Sequence, residues 1–95
     1  MAFVHSTKAK GVTLETFRAV SAKHNPPQDI DGLLAWAAGE NEDGLNVVTI
    51  WQSQAHQERF AAEQLFPAFQ EFGMAERMMA DSKFTTYEVG ELYIR

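Results

Sequence analysis

The sequence contains no cysteine. That absence excludes disulfide bonds, thiolate metal ligands and a cysteine nucleophile together. Positive charge is also scarce: 8 Lys and Arg face 13 Asp and Glu, for a formal charge of −5 at pH 7. The basic residues are scattered, at Lys8, Lys10, Arg18, Lys23, Arg59, Arg77, Lys83 and Arg95. A polyanion needs a clustered cationic face, so neither nucleic acid nor an anionic membrane surface is an expected partner. No run approaches the roughly 20 apolar residues that span a bilayer. The opening MAFVHSTKAK lacks the basic region and long apolar core of a signal peptide, so the cytoplasm is the expected location. No Gly-rich phosphate loop, serine elbow, paired-carboxylate motif, repeat or low-complexity tract occurs. The 3 histidines, His5, His24 and His56, have neither HxH nor HxxxH spacing, so no metal is expected.

What is present describes one globular domain spanning residues 1–95. Hydrophobic residues make up 45% of the chain and charged ones 22%, an ordinary globular balance. A chain of this size buries only roughly two-thirds of its unfolded surface, so pairing with another copy would add stability.

Local patterning predicts the elements. Ala2–Thr7 reads as a strand ended by a turn at Lys8–Gly11. Thr13 reads as a helix N-cap, and Leu14, Phe17, Val20 and Ser21 form a helical stripe through about His24. Asn25–Pro26–Pro27 stops that helix. Leu33–Ala38 and Leu45–Trp51 are strands joined by a polar, solvated turn at Glu40–Gly44. In the second of these, Val47, Thr49 and Trp51 share one face, and Val48 and Ile50 the other. Ser53 caps a helix from about Gln54 to Leu65, where Pro67 interrupts it, and a further helical stretch closes at Gly73. Met74–Ser82 reads as a loop, and Phe84–Ile94 as the last strand with a bend at Gly90.

The order strand, helix, strand, strand, helix, strand predicts an α+β domain of βαββαβ type. Its four-stranded antiparallel sheet carries both helices on one face. Strands two and three are apolar on both faces, so the other face calls for a partner. A homodimer packed sheet to sheet would supply it.

The run Val47-Val48-Thr49-Ile50-Trp51-Gln52-Ser53, followed by Ala55, Phe60 and Leu65-Phe66-Pro67, resembles the dimeric α/β-barrel superfamily. Within it, the chain is similar to small proteins like the antibiotic-biosynthesis monooxygenases, where a strand ending Trp-x-Ser feeds the second helix. The resemblance implies a ferredoxin-like fold, a homodimer, and, in some members, cofactor-free oxidation of aromatic molecules. Other members degrade haem, isomerise substrates or have no assigned role. The haem-degrading branch requires a histidine and a tryptophan at positions that fall here near Gln70 and Phe60. Neither residue can serve, so no cofactor is expected.

Residues able to carry chemistry are few. His5, mid-strand, has an imidazole suited to act as base toward a phenolic group, or it is simply a hydrogen-bonded histidine at a strand edge. Tyr87 is a second candidate for contacting a ligand oxygen. Trp36, Trp51, Phe60 and Phe69, with Phe3, Phe17 and Tyr93, would line an apolar pocket for a small aromatic ligand or fill an ordinary core. A ligand site calls for a cavity of several hundred Å³. His24 reads as a helix C-terminal residue, His56 as solvent-facing, and Met74, Met78 and Met79 as a lid or a buried loop.

Overall fold

The computed structural model describes residues 2–23, 25–71, 73 and 82–94. The chain forms β1 (Phe3–Lys10), α1 (Leu14–Ser21), β2 (Leu33–Asn41), β3 (Gly44–Trp51), α2 (Gln54–Phe60), α3 (Phe66–Glu71) and β4 (Ser82–Glu88). A short 3-10 turn at Pro27–Asp29 precedes β2, and a π-helical turn at Ala61–Leu65 joins α2 to α3. The sheet order is β2-β3-β1-β4, all neighbours antiparallel, with β1 and β3 central. This is the expected ferredoxin-like βαββαβ arrangement.

Cross-strand pairing assigns every side chain to a face, because directly opposed residues point the same way. His5 pairs with Thr49 and Thr86, and Thr7 with Val47 and Phe84. These residues, with Phe3, Ala9, Leu45, Trp51 and Trp36, form the side that carries the helices. Val4, with its partners Ile50 and Tyr87, and Ser6, with Val48 and Thr85, form the opposite side. No helix among the described residues is packed over that opposite side, although Val4 itself is buried. Val48 there is 41% exposed and Tyr87 55%.

On the helix side the core falls into two clusters. Phe3, Ile30, Trp51 and Phe60 form one, with Leu33, Trp36 and Leu65 packed against it. Ala9, Val12 and Leu45 form the other, with Leu14, Phe17, Val47 and Phe69 around it.

Local chemistry explains the element ends. The Thr13 hydroxyl accepts the N–H of Thr16 at 3.1 Å, as expected of an N-cap. The N–H of Leu14 donates to Glu40 Oε1 at 2.6 Å. Glu40 is therefore a strand residue capping α1, not part of a solvated turn. β2 runs on to Asn41, and the reversal is only Glu42-Asp43, with the Asn41 side chain accepting the N–H of Asp43 at 3.0 Å. β1 likewise continues past Thr7 to Lys10, since its pairing with β3 extends to Lys10 opposite Gly44. The turn falls at Gly11, φ +76°.

Two expectations about the later elements need correction. Pro67 does not interrupt the second helix; a π-helical turn lies just before it, with the N–H of Phe66 donating to the Ala61 carbonyl. Proline removes one donor and crowds the carbonyl four residues back, and a widened turn relieves that conflict while the helix passes through. Gly73 then ends the run at φ +67°, its N–H donating to Gln70 O at 3.0 Å. The last strand is Ser82–Glu88, not Phe84–Ile94. The paired register ends at Phe3 opposite Glu88; Val89 N–H donates to Ala2 O, and the chain then bends at Gly90 and leaves the sheet. The expectations for His24 and for the Met74–Ser82 loop lie outside the described residues, except that Ser82 belongs to β4 and not to a loop. No helix among those residues is long and apolar enough to cross a membrane.

Candidate functional site

The gap between the two core clusters holds a cavity of about 70 Å³. Its floor is the helix side of β1 and β3: His5, Thr7, Leu45, Val47, Thr49 and Trp51. Trp36 of β2 and Phe84 of β4 contribute from the flanking strands, and Phe17, Gln57, Phe60, Leu65 and Phe69 form the roof. Among the described residues the lining is almost wholly apolar, and His5 is its one titratable group. This cavity is far smaller than the several hundred Å³ expected of a preformed ligand site.

Alternation along β1 places His5 in this gap, two residues from Thr7 and opposite Thr49. The imidazole is half-buried and lies 5.5 Å, centroid to centroid, from the ring of Phe84. Its Nδ1 sits 3.5 Å from the Thr7 hydroxyl, a contact at the outer limit of a hydrogen bond. Nε2 has no hydrogen-bond partner among the described residues. Burial disfavours the charged imidazolium and holds the pKa below the ordinary 6.5. At neutral pH the ring is therefore uncharged, with a nitrogen lone pair able to accept a proton or hydrogen bond.

Beside it runs a short polar ladder. The Trp51 indole N–H donates to Thr49 Oγ1 at 2.8 Å, and the Thr49 hydroxyl donates to the His5 carbonyl at 3.2 Å. Trp51 is 1% exposed and Thr49 9%, so both bonds satisfy groups cut off from water. The Trp51 ring stacks obliquely on Phe60 at 5.4 Å, and Phe17 meets Trp36 at 5.7 Å.

Of the residues singled out from sequence, His5, Trp36, Trp51, Phe60 and Phe69 converge on this cavity. Tyr87 does not: opposite Val4, it belongs to the other side of the sheet and cannot share a ligand with His5 inside one chain. Tyr93 is 83% exposed beyond the last strand. Thr7, Gln57, Leu65 and Phe84 are lining residues that sequence reasoning missed. Two-residue alternation from His5 would have found Thr7, but Leu65, although four residues before Phe69, is out of helical register with Gln57 and Phe60.

His56 is also not solvent-facing. Its Nδ1 is 2.7 Å from the hydroxyl of the cap Ser53, its Nε2 3.8 Å from Asp31 Oδ2, and its ring lies against Gly32. Arg59 reaches the same Asp31 oxygen at 3.4 Å. This cluster clamps the loop before β2 onto α2. Among the described residues no group of three or more His, Asp or Glu could hold a metal ion.

No family model matches the sequence, and no curated protein matches it. Solved structures do match the fold. A protein of unknown function from Nitrosomonas europaea aligns at TM-score 0.70 and 11% identity, covering 99% of this chain and 93% of that one. A candidate antibiotic biosynthesis monooxygenase from Deinococcus radiodurans aligns at TM-score 0.62 and 20% identity, covering 100% and 98%. SnoaB, a cofactor-independent oxygenase from Streptomyces nogalater, aligns at TM-score 0.58 and 15% identity, covering 96% and 93%. The chain has the fold of these proteins along essentially its whole length, as the Trp51-Gln52-Ser53 resemblance implies.

Proposed function

We propose that the chain binds a small, largely apolar molecule bearing one hydroxyl in the gap between its two core clusters, with His5 receiving the hydroxyl. One observation carries this reading: the core of so small a domain is split in two, and the split is floored by a neutral, half-buried histidine with an unused ring nitrogen. An ordinary core is one contiguous cluster. Trp36, Trp51, Phe60 and Phe69 are the apolar contacts in this reading.

The activity best fitted to such a site is cofactor-independent oxidation, possible when the bound molecule is a small enol. His5 takes the hydroxyl proton, and the resulting electron-rich anion itself reduces dioxygen, so the protein need only hold, deprotonate and desolvate it. The fold shared with a cofactor-independent oxygenase supports this by analogy alone. A non-catalytic ligand carrier is favoured by the small cavity, since no second acid or base lines it among the described residues. Replacing His5 by alanine and Trp51 by leucine separates the two. Loss of turnover of a small enol substrate on His5→Ala supports catalysis; retained binding with no turnover in any variant supports a carrier. Unchanged turnover in both variants would sink the site.

The working unit in this reading is a homodimer. The uncovered part of that sheet side presents Val48, Ile50 and Tyr87, an apolar surface that a second copy would bury. Tyr87 then belongs to the interface.

A further inference from the structure

Resting on the pocket reading above, we infer that Leu65, carried into the gap by the π-helical turn, is the residue that sets which ligands the site accepts. In its present form the cavity excludes an aromatic ring. An engineered apolar cavity of about 150 Å³ holds benzene, whereas this one measures about 70 Å³. By that proportion it has room for about three non-hydrogen atoms.

The roof residues Gln57, Phe60, Leu65 and Phe69 are spaced three, five and four apart. Steps of three and four stay on one face of an α-helix. A step of five turns a side chain by about 500°, about 140° off the starting face. The π-helical turn Ala61–Leu65 absorbs the extra residue, so Leu65 returns over Phe60 and Phe69 follows. An unbroken α-helix would instead offer Gln64 at this height. In the structure the Gln64 carboxamide faces away, accepting the N–H of Asn25 at 3.1 Å. Leu65 also packs on the cluster of Trp51 and Phe60, while Phe69 packs on the cluster of Leu45 and Ala9. It thus stands at the seam between the clusters, where the cavity lies. Truncating leucine to alanine removes three carbon atoms, matching the room already there, and the combined space fits a six-membered ring.

The test uses the intact chain and phenol as probe, followed through the two indole N–H signals in 15N-correlated NMR spectra. Trp36 and Trp51 both line the cavity, so either reports occupancy. Leu65→Ala should bind phenol on the order of tenfold more tightly than the unaltered chain, and Leu65→Val should bind it to an intermediate degree. Leu65→Val also serves if the alanine variant does not fold. Val48→Ala, on the opposite side of the sheet, should bind as the unaltered chain does. Equal phenol affinity in the unaltered chain and both Leu65 variants overturns the assignment, even where binding still depends on His5. Tighter binding in Leu65→Ala that persists undiminished after His5→Ala upholds the role of Leu65 and removes that of His5.

Discussion

The indole of Trp51 and the hydroxyl of Thr49, two residues apart on β3, are joined by a 2.8 Å hydrogen bond inside a core closed to water. Their side chains point the same way only because alternate strand residues share a face. The bond gives a buried donor its sole described partner and ties the floor of the cavity to the backbone of His5.

Thr49→Val keeps the shape but leaves the Trp51 N–H unpaired. Stability should fall by about 1–3 kcal/mol, while Thr49→Ser should retain most of it. Urea denaturation of the three proteins, read by tryptophan fluorescence, measures this. A neutral valine variant would show that the indole finds another partner.

His5 makes stability depend on pH in a direction set by its burial. Its folded pKa lies below the ordinary 6.5. Above pH 6.5 both folded and unfolded chains hold it neutral, and its contribution is complete. As pH falls through 6.5, the unfolded chain takes up a proton that the folded one refuses, so stability is lost until the folded pKa is passed. The unfolding free energy of the unaltered chain, minus that of His5→Gln, should therefore decrease from pH about 8 to about 5. A flat or rising difference would contradict a buried, neutral His5.

Gly44 starts β3 at φ +129°, where a Cβ would run into the carbonyl of Ala9 and the N–H of Gly11 at 2.5 and 2.7 Å. Gly44→Ala should cost on the order of 1–3 kcal/mol. Gly39→Ala, with nothing within 4 Å of the new methyl group, should change stability by roughly 0.5 kcal/mol or less. Thermal melts of the pair provide the comparison; equal losses would mean that the β1 end and the hairpin are not in close contact.

The proposed dimer places Val48 inside an interface. Val48→Asp should give a monomer in sedimentation velocity at micromolar concentration, where the unaltered chain sediments as two copies. A monomeric unaltered chain would leave the apolar sheet side without its proposed cover.

Much of the fold is legible in local patterns, because those patterns act over a few residues. Thr13 and Ser53 cap helices with their own hydroxyls, the alternation of Val47, Thr49 and Trp51 assigns their face, and Asp43-Gly44 marks the hairpin. Element ends were less legible. β1 outlasts Thr7 and β4 stops at Glu88 because strand length depends on how far a neighbour extends, and the neighbour is distant in sequence. Pro67 reads locally as a break, yet the chain widens one turn and continues, since packing of Phe60, Leu65 and Phe69 outweighs the lost hydrogen bond.

The same division governs the site. Composition alone determines that any chemistry here lacks thiols and that charge is mainly negative; the order of elements determines a βαββαβ sheet with an apolar surplus. Which aromatics meet is another matter. His5 and Tyr87 are equally plain as strand residues, but the register that sets Tyr87 opposite Val4 sends it to the far side of the sheet. Likewise Leu65 enters the gap through an irregular turn. Alternation sets a residue's face relative to its own strand; only hydrogen-bonded pairing between distant strands, and the packing of helices over them, decides which of those faces enclose a common space.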